Sequence, residues 1–123
     1  MNARAWVLAG CVWAALGVVC GAFGAHALKA TLTPEALVTW ETAVRYQLVH
    51  ALALIAYGLF CERASGRDLP GVLFVFGSFF FSGSLYALAL DFLKSLMGPI
   101  TPLGGVLMIA GWIAFAREAL RRR

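Results

Sequence analysis

Four long stretches without a charged residue limit what this chain can fold into. They cover residues 5–28, 46–61, 69–90 and 95–116, and three of them contain 22 to 24 residues. At about 1.5 Å per residue, a helix of that length crosses the roughly 30 Å hydrocarbon core of a bilayer. Only 13% of the side chains are charged, about half the share that is usual in soluble domains. The pattern predicts an integral membrane protein with four transmembrane helices.

The second stretch has only 16 residues, so its helix must begin upstream. Thr33 is suited to cap a helix whose first residue is Pro34. We therefore expect a helix from about residue 34 to 63, with Trp40 and Tyr46 in the aromatic belt of the membrane interface. The predicted fold is a single all-α domain over residues 1–123, an up-down bundle whose second helix is extended at its N-terminal end. The predicted spans are about 5–28, 44–63, 69–91 and 100–117.

A cleaved signal peptide is the alternative interpretation of the first stretch. Arg4, the apolar run and the small residues Ala25 and Ala27 imitate the three regions of such a peptide. The length of the run and its glycines favour a retained span instead. Its removal would also leave three spans and take away the antiparallel neighbour of the second helix.

The distribution of Lys and Arg predicts the orientation in the membrane. With four spans, one side carries seven basic residues and the other carries three. The seven are Arg4, Arg63, Arg67, Arg117, Arg121, Arg122 and Arg123, and the three are Lys29, Arg45 and Lys94. The positive-inside rule then places both termini in the cytoplasm. No basic soluble face remains for nucleic acid, so the terminal arginines are best explained as contacts with anionic lipid.

Small residues line one side of the first predicted helix. At 100° per residue they fall within one narrow sector, which contains Gly10, Ala14, Gly17, Gly21 and Gly24. Inside a bilayer, close helix contact depends on such residues because the hydrophobic effect does not drive association there. We expect another helix along this glycine stripe, either from the same chain or from a neighbouring copy.

The fourth stretch begins with two prolines among three glycines, in the segment MGPITPLGG. Because proline disrupts a helix interior, the segment predicts a turn through Gly98 and Pro99. Thr101 would then cap a helix whose first residue is Pro102. A broken or re-entrant segment that lines a cavity is the functional alternative.

Four segments together resemble one known family. They are GAFGAHAL at residues 21–28, TWETAVRYQLVHALAL at 39–54, FSGSLYALAL at 81–90 and GPITPLGGVLMIAGW at 98–112. In this order and spacing they are similar to the YgdD-like family of small inner-membrane proteins, a domain of unknown function with related eukaryotic transmembrane proteins. The resemblance implies a four-helix, multi-pass protein of the inner (plasma) membrane. It supplies no catalytic residue.

Polar side chains concentrate in the outer half of the predicted bundle, on the side opposite the termini. The candidate ligand-binding residues are His26, Tyr46, Gln47, His50, Ser82, Tyr86, Asp91 and Thr101. An ionisable group such as His50 is costly within an apolar span and usually faces the bundle interior. Serines in membrane helices more often make interhelical hydrogen bonds than act as nucleophiles, and no Gly-x-Ser-x-Gly elbow occurs. We therefore expect no enzymatic activity.

Three functions remain in competition. The first is a non-enzymatic module that binds a small ligand, an ion or a lipid headgroup through this outer polar layer, as a component of transport or sensing. The second is a structural subunit that assembles a membrane complex, or a homo-oligomer, through the glycine stripe. The third is haem or metal binding by His26 and His50. Three cysteines without a zinc pattern predict free buried thiols, and we expect no cofactor and no metal.

Overall fold

The computed structural model describes residues 2–121, which form four α-helices joined by short connections. The helices are α1 (Ala3–Ala25), α2 (Pro34–Arg63), α3 (Leu69–Ala89) and α4 (Lys94–Arg121), with a turn of 3₁₀ helix at Leu28–Ala30. Each α-helix is long and apolar enough to cross a bilayer, and no β-strand occurs between residues 2 and 121. The predicted all-α fold with four transmembrane helices is confirmed.

Successive helices are antiparallel neighbours. α2 packs against α1 and α3, and α4 packs against α3. The bundle has two ends. The terminal end carries the start of α1, the α2–α3 connection and the end of α4, whereas the distal end carries the α1–α2 and α3–α4 connections.

α2 begins where the sequence predicts. The backbone of Thr33 is extended, and its hydroxyl accepts a hydrogen bond from the amide of Ala36 at 3.2 Å. Pro34 is the first helical residue, a position whose amide has no partner inside the helix. The Asn2 side chain caps α1 in the same way, accepting from the amide of Ala5 at 2.9 Å. Local sequence therefore fixes the start of both helices.

α1 ends at Ala25 rather than near residue 28, so the predicted first span ends about three residues too late. His26 is the C-cap, and its amide donates to the carbonyl of Ala22 at 3.1 Å. The chain then tightens into the 3₁₀ turn, where the amides of Thr31 and Leu32 both bond to the carbonyl of Leu28. His26 consequently belongs to the distal connection and not to a transmembrane helix.

The glycine stripe of α1 lies against α2. A Cβ atom added at Gly10 would be 2.6 Å from the carbonyl oxygen of Ala51, and one added at Gly24 would be 2.6 Å from the Trp40 ring. Gly17 and Gly21 approach α2 side chains in the same way, and Ala14 is half-buried between them. The partner of the stripe is thus a helix of the same chain.

A second close contact joins α3 and α4, with glycines from both helices. An added Cβ at Gly77 would be 2.7 Å from the amide nitrogen of Met108. At Gly104 it would collide with the backbone of Phe81, and at Gly111 it would be 2.9 Å from the Phe74 ring. Each half of the bundle is therefore a pair of helices in close backbone contact.

The prediction of a turn at Gly98 and Pro99 is wrong. α4 begins at Lys94 and continues through Pro99 and Pro102, so its predicted start at residue 100 is too late. The chain reverses earlier, at Asp91 and Leu93, which both have positive φ angles of 57° and 48°.

The helix tolerates its two prolines for local reasons. Gly98 has no Cβ to clash with the ring of the following proline, and an added Cβ there would meet no atom within 4 Å. The Thr101 hydroxyl supplies an extra bond to the carbonyl of Met97 at 3.3 Å. Each proline removes one backbone hydrogen bond, and both losses lie in the first three turns of the 28-residue helix.

The core of the terminal half is aromatic. Trp6, Tyr57 and Phe74 are all almost completely buried, and Phe115 packs against them from α4. The Tyr57 ring lies 4.9 Å from the Phe115 ring in an edge-on arrangement. Trp6 fits over Gly71, where an added Cβ would be 2.6 Å from the indole ring. Large rings therefore fill the space between helices near the terminal end.

Candidate functional site

Gln47 is the centre of the buried polar groups, with a side chain only 1% exposed. Its Nε2 donates to the carbonyl of Trp13 on α1 at 3.0 Å. Its Oε1 accepts from the Tyr86 hydroxyl on α3 at 2.6 Å. One amide group therefore links three helices at both of its polar atoms.

Two further hydrogen bonds to backbone carbonyls flank Gln47 on the distal side. The Ser82 hydroxyl on α3 donates to the carbonyl of Ala43 on α2 at 2.7 Å. The Trp40 indole donates to the carbonyl of Cys20 on α1 at 2.8 Å, and its ring lies 4.5 Å from the Tyr86 ring. Trp40 is buried, at 8% exposure, so its predicted place in a lipid-facing aromatic belt is wrong.

His50 has a partner at each ring nitrogen. Nδ1 lies 2.8 Å from the carbonyl of Tyr46, and Nε2 lies 3.1 Å from the indole nitrogen of Trp112 on α4. A carbonyl only accepts and an indole only donates, so both bonds form only in the neutral ring with its hydrogen on Nδ1. A metal or haem iron at Nε2 would have to displace Trp112.

Two further hydrogen bonds that involve serine hydroxyls join different helices. The Trp13 indole on α1 donates to the Ser78 hydroxyl on α3 at 2.9 Å. Ser84 on α3 and Thr101 on α4 share a hydrogen bond of 2.6 Å. No buried side-chain nitrogen or oxygen of the described residues lacks a hydrogen-bond partner. The polar side chains inside the described bundle thus bond to other side chains and to backbone carbonyls of neighbouring helices.

The structure separates the eight sequence candidates into two sets. Gln47, His50, Ser82 and Tyr86 lie inside the bundle, and Thr101 lies at its α3–α4 contact. The others lie at its surface: His26 and Asp91 are exposed at the distal end, and Tyr46 is 39% exposed beside Phe81. Within residues 2–121, no hydrogen bond joins the His26 side chain to any other group. The expected layer that includes both histidines is therefore not one connected network.

A pocket of about 390 Å³ opens at the distal end, between the two connections. Asp91 and Lys94 form an ion pair of 3.4 Å at its edge, and both side chains are mostly exposed. Both polar and apolar residues line it: Thr31, Leu32, Thr33, Ala36, Leu88, Ala89, Leu90, Asp91 and Lys94. Of the sequence candidates, only Asp91 lies here.

An apolar groove of about 360 Å³ runs between α1 and α3 above α2. Its lining is Leu8, Ala9, Val12, Trp13, Leu54, Val75 and Phe79. Leu8, Val12 and Phe79 are more than half exposed on the side of the helices that faces away from the bundle. In a bilayer this groove is accessible to lipid tails.

The terminal end holds a buried carboxylate among arginines. Glu118 of α4 is 6% exposed, and its Oε1 lies 4.0 Å from Arg67 and 3.8 Å from Arg121. These residues and Arg117 line a small pocket of about 90 Å³. Arg122 and Arg123, which belong to the predicted basic side, lie outside the described residues.

Sequence reasoning missed several of these residues. The indoles of Trp13 and Trp112 count as apolar side chains in a hydropathy pattern, although each donates a partly buried hydrogen bond to another helix. Glu118 was not selected because it lies among basic residues in the segment AREALRRR. A signal for Glu118 was present, because it is the one acid in a positively charged segment.

The described residues contain no group of three His, Cys, Asp or Glu side chains that could bind a metal ion. All three cysteines are free. Cys20 and Cys61 are half-buried, but Cys11 is exposed on α1, so the expectation of buried thiols is wrong for Cys11.

Comparison with known proteins places the chain among small membrane proteins. It is 43% identical over 111 residues to a UPF0382 membrane protein of Staphylococcus saprophyticus, covering 89% of this chain and 92% of the relative. It is 37% identical over 121 residues to the UPF0382 membrane protein YwdK of Bacillus subtilis, covering 96% and 98%.

A eukaryotic relative is also similar. A UPF0382 membrane protein of Schizosaccharomyces pombe is 39% identical over 102 residues, covering 79% of this chain and 86% of the relative. No solved structure matches the chain. The profile of a family described as a protein of unknown function, DUF423, matches residues 20–105, which is most of the chain. The chain therefore belongs to the DUF423 family of UPF0382 membrane proteins.

Proposed function

We propose that this membrane protein is a non-enzymatic module that binds a small polar ligand, an ion or a lipid headgroup at its distal end, as a component of transport or sensing. The observation that carries the proposal is the distal pocket, where the Asp91–Lys94 pair is exposed. The buried polar side chains of residues 2–121 all have hydrogen-bond partners within the bundle, so they are less available to a ligand. In this proposal they position the helices that form the pocket.

The turn beside the pocket supports this assignment. Asp91 and Leu93 adopt left-handed backbone angles, which a bulky residue such as leucine rarely does. The amide of Phe92 bonds to the carbonyl of Ala87 at 2.8 Å, which keeps the turn in place. Backbone strain of this kind concentrates at binding sites, where surrounding structure maintains it. It also aims the Asp91 carboxylate towards Lys94 at the pocket edge.

The same proposal has three further parts. The protein is not an enzyme, it lies in the inner (plasma) membrane, and both of its termini are in the cytoplasm. His50 bonds through both ring nitrogens, which leaves neither free to act as a base. The seven basic residues on the side of the termini favour cytoplasmic termini, so the pocket would face the opposite side of the inner (plasma) membrane. The motifs at residues 21–28, 39–54, 81–90 and 98–112 support the narrower YgdD-like assignment.

Removal of the charges at the pocket tests the proposal. The protein is purified with native lipid, and the bound small molecules are identified by mass spectrometry. Asp91→Asn and Lys94→Gln are expected to lose a molecule that the wild-type protein retains. Glu41→Gln and Lys29→Gln, which change exposed charges in the distal half outside the pocket lining, are the matched controls. Equal retention by all four variants would contradict the proposal.

Assembly of a membrane complex or homo-oligomer is the second candidate. The glycine stripe is covered by α2, so the contact would need another surface. A row of exposed apolar side chains on α4 offers one, formed by Leu103, Val106, Ile109 and Ile113. Cross-linking in native membranes from cysteines introduced at Val106 and Ile113 is expected to give dimers or larger species. Monomers alone would count against this candidate.

A further inference from the structure

The terminal end carries a second pocket, far from the distal one and formed by different elements. Arg67 comes from the α2–α3 connection, whereas Arg117, Glu118 and Arg121 come from the last turns of α4. Leu69, Pro70 and Ala114 complete the lining with apolar surface. Three positive charges and one negative charge therefore surround the space, which favours an anion.

Glu118 positions the arginines instead of neutralising them. Its carboxylate is buried, and it contacts one nitrogen each of Arg67 and Arg121 at 4.0 and 3.8 Å. The side chains of Arg67 and Arg121 remain 68% and 54% exposed. Since a guanidinium has five N–H donors, most donors of both arginines remain available to a ligand.

The backbone of Arg67 is also fixed from inside the bundle. The buried hydroxyl of Tyr57 donates a hydrogen bond to the carbonyl of Arg67. Gly66 lets the loop approach that hydroxyl, since an added Cβ would be 2.6 Å from it. An arginine on an anchored loop loses less conformational freedom when it binds a ligand than one on a free loop.

The size and position of the pocket limit the ligand. Its volume of about 90 Å³ favours a small ligand group such as a phosphate. Arginine binds phosphate oxygens in pairs, and the apolar wall beside the arginines continues onto Leu69, which is 55% exposed. Basic pockets between helices near a membrane surface bind phospholipid headgroups for these reasons.

We propose that Arg67, Arg117 and Arg121 bind the phosphate group of an anionic phospholipid at the terminal end of the bundle. Glu118 orients Arg67 and Arg121 for that contact, and the apolar wall of the pocket receives the start of the lipid tails. The inference is independent of the distal pocket, because no residue lines both.

Native mass spectrometry in a neutral detergent tests the site, because only a bound lipid then supplies negative charge. The full chain is given phosphatidylglycerol or phosphatidylcholine with the same tails, and the fraction that carries one lipid is measured. We expect the protein to retain phosphatidylglycerol in preference. Arg67→Gln and Arg117→Gln should each reduce that retention roughly fivefold. Arg63→Gln, at the end of α2 outside the pocket, should leave it within about twofold of wild type.

A stability control and a competition experiment distinguish the possible outcomes. Each variant must unfold at the same temperature as the wild-type protein. Because Arg117 is exposed, Arg117→Gln should keep the fold, and it tests the site even if Arg67→Gln unfolds. Excess inorganic phosphate should not displace the lipid. Displacement by phosphate would mean that the site takes the free anion, which overturns the lipid assignment. Equal retention of both lipids, or an equal loss in Arg63→Gln, would overturn the site itself.

Discussion

The α1–α2 pair and the α3–α4 pair are both held by close glycine contacts, but they are built differently. In the first pair, the glycine stripe of α1 meets both side chains and backbone of α2, and α2 adds one glycine, Gly58, which lies against the backbone of Ala3 and Val7. In the second pair, Gly77 belongs to α3 and Gly104 belongs to α4, and the approach of Gly104 to the Phe81 backbone is the closest that any glycine makes. A row of glycines on one helix can be recognised from the sequence of that helix. A contact built from single glycines on two helices can be recognised only when the pairing of the helices is known.

The hydrogen bonds between helices also differ between the two pairs. Trp40 and Gln47 of α2 donate to backbone carbonyls of α1, whose positions depend little on side-chain rotamers. α3 and α4 are joined by a bond between two side chains, Ser84 and Thr101. We therefore expect α3–α4 to be more sensitive to added volume and α1–α2 to be more sensitive to lost hydrogen bonds.

The largest effect is expected for Gly104→Ala. The new Cβ would collide with the backbone of Phe81, which cannot move aside as a flexible side chain would. We expect a loss of about 3 kcal/mol in the free energy of unfolding, near the upper end of the usual cost of overpacking. Gly105→Ala is the matched control, since its Cβ would be 3.7 Å from the Phe81 ring. Thermal and denaturant unfolding in detergent measure both, and similar stabilities would mean that α3 and α4 are not in this close contact.

Gly10→Ala is expected to be the next most damaging change. Its Cβ would be 2.6 Å from the carbonyl oxygen of Ala51 and 3.0 Å from the amide nitrogen of Ile55, and both backbone distances are longer than the one at Gly104. We expect a loss of about 2 kcal/mol. Gly21→Ala, which meets only Val44 at 3.3 Å, should change the stability by less than about 0.5 kcal/mol. A larger loss for Gly21→Ala than for Gly10→Ala would contradict the observed contact.

Double-mutant cycles compare a hydrogen bond that joins the two halves with one inside the α3–α4 half. Gln47→Leu with Tyr86→Phe measures the bond at the α1–α2–α3 junction, and Ser84→Ala with Thr101→Val measures the α3–α4 bond. Interhelical hydrogen bonds in membranes contribute about 0.6 kcal/mol on average and about 1.7 kcal/mol at most. We expect a coupling energy near the upper value for the buried Gln47 pair and near the average for the Ser84 pair. The reverse order would mean that the more buried position of Gln47 does not strengthen its hydrogen bond.

The sequence predicted the number of helices, the start of α2 and the stripe on α1 because each depends on local pattern. Apolar run length, the Thr33–Pro34 cap and the spacing of small residues are all visible in one segment. The continuous α4 was not predictable in this way. Its two prolines indicate a break, and only the absence of a Cβ at Gly98 and the Thr101 bond show how the helix continues.

The site was predicted less completely than the fold. The sequence points to the polar residues in the apolar spans, but their partners are backbone carbonyls and indoles, which no spacing rule identifies. Helical angles alone do not say whether His50 faces a ligand or Trp112. The distal pocket likewise combines two connections that are far apart in sequence, and its turn at Leu93 has no glycine or asparagine to reveal it.

The smallest expected change in the free energy of unfolding comes from the connection between α3 and α4. There a substitution should stabilise the protein, whereas the glycine substitutions above destabilise it. Leu93 has a φ angle of 48° in the α3–α4 turn, whereas Lys29 lies in a regular 3₁₀ turn between α1 and α2. The left-handed conformation costs a non-glycine residue about 1–2 kcal/mol, and glycine adopts it freely.

Leu93→Gly should therefore raise the free energy of unfolding by about 0.5 kcal/mol, after the entropy that glycine adds to the unfolded chain is subtracted. Little packing is lost, because Leu93 is 51% exposed. Lys29→Gly should lower the stability by up to about 1 kcal/mol, since it adds the same entropy and relieves no strain. If Leu93→Gly is instead destabilising, the turn is not strained, and the argument that strain marks the distal pocket as a binding site loses its basis.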